Sequence, residues 1–124
     1  MSRGSPLKPV RWVGSSRKDL QAFPGAVRFE VGQAPYAAQR GETDPAAKPL
    51  KGFGGGRSAV EIVTPFDWNT WRTVYTVRFD DAIYVLHAFQ KKSTSGIATP
   101  QREIDLIRKR LADAEADYNG RGRG

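Results

Sequence analysis

Arg72, His87 and Lys91 are side chains whose types suit a phosphodiester: a planar cation, an imidazole that can take or give a proton, and a compact ammonium. They fall in two segments that read as strands, residues 71–79 (Trp-Arg-Thr-Val-Tyr-Thr-Val-Arg-Phe) and residues 82–89 (Ala-Ile-Tyr-Val-Leu-His-Ala-Phe). With Asp80-Asp81 as a two-residue turn, these segments form an antiparallel hairpin. That hairpin pairs Arg72 with Phe89, Val74 with His87, Thr76 with Val85 and Arg78 with Ile83. Side chains alternate between the faces of a strand, so Arg72, His87, Phe89 and Lys91 share one face, with Lys92 beside them. A slip of one residue would scatter the group.

The same residues also fit structural roles. A lone histidine in so apolar a strand suits a buried, hydrogen-bonded position, and Arg72 suits an ion pair with Asp67 or Glu61. Lys91-Lys92 suits a solvated strand end. Tyr75, Val77 and Phe79 point to the opposite face and read as core. Trp12, Trp68 and Trp71 could stack on bases but also read as core.

Composition removes several chemistries. The 124 residues include no cysteine and one histidine, which excludes disulfides, thiolate metal sites and every site that needs two imidazoles. No metal or cofactor is expected. The run Gly52-Phe53-Gly54-Gly55-Gly56-Arg57-Ser58 lacks the Gly-Lys-Ser/Thr of a phosphate loop and any parallel βαβ context. No apolar run approaches the roughly 20 residues of a membrane span, and Met1 to Pro6 lacks a signal peptide's apolar region, so a cytoplasmic location is expected.

The elements that must position the patch follow from periodicity and turn chemistry. Pro9 to Val13 alternates as a short strand; Ser15 or Ser16 then opens a short helix that runs towards Phe23. Pro24 suits the first position of a second helix, whose Val27, Val31, Ala34 and Ala38 lie on one face, with a break or kink predicted at Gly32 and Pro35. Residues 41–57, rich in glycine, read as a loop whose Lys48, Lys51 and Arg57 could lie along a nucleic-acid backbone, as Lys92 could. Residues 59–64 are a third strand, joined to the next by a wider link over 65–70. Thr99-Pro100 starts a closing helix with Ile104, Ile107, Leu111, Ala114 and Tyr118 on one face, and Asn119-Gly120 should stop it. The order is that of an α+β domain over residues 8–118, with a disordered lead at 1–7 and a flexible Gly/Arg tail at 119–124.

The net charge of +7 and pI near 10.1 are unevenly spread. Residues 1–57 hold ten basic and four acidic side chains, residues 58–99 four of each, and residues 100–124 six and five. The excess at the front favours a polyanionic partner such as RNA, the ribosome or an acidic protein.

Trp71-Arg72-Thr73-Val74-Tyr75, Tyr84-Val85-Leu86-His87-Ala88-Phe89-Gln90-Lys91-Lys92-Ser93, Thr99-Pro100 and Ile104 to Leu111 together resemble the HigB-like, phage-derived toxins of the RelE/ParE superfamily. Trp12 to Ser16, Phe23-Pro24, Gln39-Arg40-Gly41 and Lys48-Pro49-Leu50-Lys51-Gly52 extend the likeness to about residues 8–118. The resemblance implies a compact α+β toxin fold, with two N-terminal helices packed on a small antiparallel sheet and a C-terminal helix. It implies a type II toxin–antitoxin system, with a helix-turn-helix, HigA-like antitoxin as partner and operator DNA reached only through that complex. It further implies a ribosome-dependent mRNA endonuclease, in which a 2′-hydroxyl attacks the adjacent phosphodiester and leaves a 2′,3′-cyclic phosphate. Arg72 matches the strand arginine associated with transition-state charge, and Lys91 and Lys92 stand where RelE-like toxins carry basic residues. The paired lysines of the preceding strand are replaced by Glu61-Ile62-Val63-Thr64, which leaves His87, Glu61 and Lys91 as candidates for the base. Two further readings stay open: a non-catalytic, ParE-like inhibitor of DNA gyrase, and a degenerate domain that only binds antitoxin or RNA.

Overall fold

The computed structural model describes residues 7–42, 44–50, 59–77, 79, 81–91 and 100–122. The element order is β1 (Val10–Trp12), α1 (Ser16–Gln21), α2 (Gly25–Gln39), β2 (Lys48–Pro49), β3 (Val60–Phe66), β4 (Asn69–Tyr75), β5 (Ile83–Lys91) and α3 (Gln101–Gly122). The strands form one sheet in the order β1-β5-β4-β3-β2. All neighbours are antiparallel except β1, which runs parallel to β5.

Alternation along the strands assigns each side chain to one of two cores. Val60, Ile62, Tyr75, Ile83 and Val85 pack with Ala34 and Ala38 of α2, and Ala88 packs with Phe23, Val27 and Val31. Val74, Tyr84 and Leu86 turn the other way, against Ile107, Leu111 and Ala114 of α3. The sheet is thus covered on both faces, which explains why residues 82–89 are apolar on both sides of the strand apart from His87. The helix 3.6-residue period read from the sequence is the buried face in both α2 and α3.

Several boundaries differ from the sequence expectation. α2 continues through Gly32 and Pro35, because apolar contacts of Val31, Ala34 and Ala38 hold the turn in which proline has no N–H to give. α3 runs past Asn119-Gly120 to Gly122, where Arg121 Nε donates to Asp117 Oδ2 at 2.7 Å one turn back. Within the expected loop 41–57, Lys48 and Pro49 pair with Glu61 and Val60 as an edge strand. Thr99 lies outside the described residues.

The link over 65–70 is a tight turn. Phe66 pairs with Asn69, leaving Asp67 and Trp68 as the two turn residues with φ of 56° and 67°. Positive φ at both positions is what a type I′ hairpin turn requires, and Asn-Gly meets it with less strain than Asp-Trp. Trp68 is 97 % exposed and Trp12 also reaches the surface, so of the three tryptophans only Trp71 packs inward, 4.9 Å from the Phe23 ring. Tyr75 and Phe79 are buried as expected, whereas Val77 is exposed.

The far end of α3 is fastened to the sheet by polar contacts. Tyr84 donates from its hydroxyl to Asp117 Oδ2 at 2.5 Å and accepts from Arg11 Nη1 at 2.9 Å. The Tyr84 hydrogen bond, and then that from Arg121, hold the Asp117 carboxyl below the usual carboxylate range. Burial, and then the bond to Asp117, push the Tyr84 hydroxyl up.

Two outcomes follow. Because the folded state favours ionised Asp117, its contribution is present above the ordinary carboxylate range, near pH 4, and is lost as pH falls through its lowered folded value. The protection factors of amides in the last two turns of α3, taken against the intrinsic exchange rate at each pH, should therefore fall on acidification, and Asp117→Asn should remove that acid-dependent fall. Replacing Asp67-Trp68 with Asn-Gly should raise urea stability by about 1–2 kcal/mol, through relief of two strained φ angles.

Candidate active site

The expected register holds where the candidate residues lie. Arg72 pairs with Phe89, Val74 with His87 and Thr70 with Lys91. The register then shifts between Val74 and Tyr75, which pairs with Val85. Leu86 is the extra residue, so the expected Thr76–Val85 pair is absent. Thr76 instead lies beside Tyr84, its N–H bonding the Tyr84 carbonyl at 2.9 Å. The strands end at Tyr75 and Ile83, so Asp80-Asp81 is not a two-residue turn between them; Arg78 and Asp80 lie outside the described residues.

The bulge has a definite chemical anchor. Arg110 of α3 donates from Nη1 to the Leu86 carbonyl at 3.0 Å and from Nη2 to Ser15 Oγ at 3.2 Å. Its guanidinium crosses Gly14, where an added Cβ would lie 2.8 Å from the arginine and where φ is +57°. With Leu86 accommodated as an extra residue, Leu86 and His87 both turn to α3: Leu86 enters the core, and His87 Nε2 lies 2.6 Å from Glu103 Oε1 in the first turn of α3. His87 is 6 % exposed, and Phe89 stacks on its ring at 4.6 Å. His87 Nδ1 is buried with no hydrogen-bond partner among the described residues.

Arg72 continues the same face. Its Nη1 meets Glu61 Oε2 at 3.0 Å, with both side chains 13 % exposed. The structural readings of Arg72 as an ion-pair member with Glu61, and of His87 as a buried hydrogen-bonded residue, are therefore both observed. Lys48 lies opposite Glu61, Glu61 opposite Val74 and Val74 opposite His87, so one row of the sheet carries Lys48, Glu61 and His87 on a common face. Lys48 is exposed and belongs to this face rather than to a loop. Lys51, Arg57 and Lys92 lie outside the described residues. Among the described residues, no group of three or more metal-ligating side chains occurs.

The arrangement brings together a guanidinium and three groups able to exchange protons: Glu61, His87 and Glu103. Glu103 was not singled out by the sequence. Its signal was its place three residues after Pro100 in the first helical turn, where a carboxylate also suits the helix N-terminus.

The family model for the phage-derived Gp49-like proteins (DUF891) matches residues 18–112. The chain belongs to that family. Its structure is similar to that of the E. coli toxin RelE, solved in the free state as a variant with two arginines replaced by alanine: 13 % identity, a TM-score of 0.56, and coverage of 87 % of this chain and 97 % of that one. It is also similar to a chain of the toxin–antitoxin complex RelBE2 from Mycobacterium tuberculosis, at 15 % identity and a TM-score of 0.47, covering 74 % of this chain and all of that one. No curated protein sequence matches significantly. The expected phage-derived family is thus shown by the family model, and the expected α+β toxin fold by the likeness to RelE. Among the described residues, no helix is long and apolar enough to cross a membrane.

An ionised carboxylate can only accept, so the 2.6 Å contact places a proton on His87 Nε2. The chain's one histidine makes this directly observable: long-range ¹H–¹⁵N spectra should show an imidazole that carries a proton at Nε2. Glu103→Ala should destabilise the fold by about 1–3 kcal/mol in urea, since it leaves a buried donor unmet, whereas Glu103→Gln, whose amide oxygen still accepts, should recover most of that loss.

Proposed function

We propose that the protein is the toxin of a type II toxin–antitoxin system and acts as a ribosome-dependent mRNA endonuclease. The observation that carries this reading is the shared face of Arg72 and His87, bridged by Phe89 and flanked by Glu61, Glu103 and Lys48. Family membership and the likeness of fold to the toxin RelE support it.

The chemistry is an in-line displacement. The ribose 2′-oxygen bonds to phosphorus as the P–O5′ bond breaks, which leaves a 2′,3′-cyclic phosphate and a 5′-hydroxyl. A base takes the 2′-proton and an acid supplies one to the departing oxygen. Arg72 stabilises the charge on the phosphorane with its planar fork. The candidates for proton transfer are His87, Glu61 and Lys91. Lys48, with Lys51, Arg57 and Lys92, would track the RNA backbone. The partners are the ribosome and mRNA in the cytoplasm, and an antitoxin of the HigA-like, helix-turn-helix kind that carries any contact with operator DNA.

Primer extension on a defined mRNA programmed into ribosomes tests this. New 5′ ends should appear at the decoding site, need ribosomes, and fall by about 10²-fold or more in Arg72→Ala. Growth inhibition with intact mRNA and altered plasmid supercoiling would overturn the reading in favour of a gyrase-type target. Arg72→Ala shortens a residue that also holds Glu61, so Arg72→Lys and the double variant Arg72→Ala/Glu61→Ala separate lost catalysis from lost packing.

A further inference from the structure

α2 is apolar on two opposite sides. Val27, Val31, Ala34 and Ala38 face the sheet, while Gly25, Phe29, Gly32 and Tyr36, spaced four, three and four, face away. Phe29 is 76 % exposed and Tyr36 47 %, although Arg40 lies over the Tyr36 ring at 4.8 Å. Gly32 has nothing within 4 Å of where a Cβ would lie, and Gly25 meets only the tip of Arg28. The outward stripe thus alternates two large rings with two open positions at the spacing of a coiled-coil seam.

The stripe is complementary to itself when reversed. A two-fold axis between Glu30 and Val31 brings Phe29 level with Gly32 of a second copy and Tyr36 level with its Gly25. Each ring then faces an open position instead of another ring. Alongside the seam, Arg28 falls near Pro35 and Ala26 near Gln33, so no like charges oppose each other despite the net charge of +7. Phe29 and Tyr36 have 76 % and 47 % of their surface left to bury, so each ring contributes less than the roughly 150–250 Å² of a fully exposed aromatic, and the contact stays below the ~1,000 Å² of a stable specific interface.

We propose that this face is a self-association surface: two copies of the chain pair through antiparallel α2 helices, Phe29 and Tyr36 seated on Gly32 and Gly25 of the other copy. The contact is weak and concentration-dependent, as its small area dictates. It lies on the side of α2 remote from the sheet, and does not rest on the nuclease reading.

Sedimentation velocity of the full chain from about 5 to 500 μM should show a monomer–dimer equilibrium with midpoint on the order of 10–100 μM, as befits a small interface. Gly32→Gln is the decisive variant. Open space receives the side chain in the monomer and glutamine is the better helix former, so its melting temperature should be equal or higher while the dimer disappears. Phe29→Ala should lose the dimer as well. The absence of native cysteine allows a second test of direction: a mixture of Ala26→Cys and Gln33→Cys chains should form a disulfide-linked pair, in preference to either chain with itself. A wild-type chain that stays monomeric throughout, or a Gly32→Gln chain that dimerises as well as wild type, would overturn the proposal.

Discussion

A strand with strict alternation cannot turn two neighbouring side chains to the same face, and β5 does so at Leu86 and His87. Were Tyr75–Val85 continued without an extra residue, Leu86 would oppose Val74 and His87 would oppose Thr73, facing α2. The bulge sends His87 to the face of Arg72 instead, and keeps Ala88 in the core under α2. Its cost is an interrupted ladder, which Arg110 meets by taking the Leu86 carbonyl. Gly14 is bound to the same device, since the guanidinium occupies the space a side chain would need.

Much of this was legible in the sequence, for reasons that differ by element. Periodicity identified the buried faces of α2 and α3 because burial itself selects residues every 3.6 positions. It said nothing reliable about where those helices break: Pro35 is tolerated within α2, and Arg121 carries α3 past Asn119-Gly120. The Arg72–Phe89 and Val74–His87 pairs were placed correctly from a turn that does not exist. A hairpin centred on Asp80-Asp81 carries the same offset as the real register beyond the bulge, so the inserted residue made a wrong loop give the right site. Bulges have no compositional mark, and neither did the Asp67-Trp68 turn, whose residues contradict the usual chemistry of positive φ.

The site was less legible than the fold because its partners come from distant elements. Glu61 was open to suspicion, one strand away from Arg72. Glu103 sits on a helix sixteen residues beyond His87, and only the placement of α3 across the sheet brings them together. The exposed tryptophan at the hairpin tip and the second apolar side of α2 are likewise surface facts. Composition favoured the interior for both kinds of residue, and only topology shows what is left uncovered.

The Arg72–Glu61 pair gives the site an occupant of its own. A carboxylate fixed 3.0 Å from the guanidinium is a tethered competitor for any incoming anion, present at an effective concentration set by the fold rather than by solution. An anion must displace it, and its apparent affinity is reduced by the fraction of time the arginine is so engaged. A free anion would therefore gain little at Arg72. An anion held in a fixed position by a larger assembly would meet that tethered carboxylate on nearer terms than a free one.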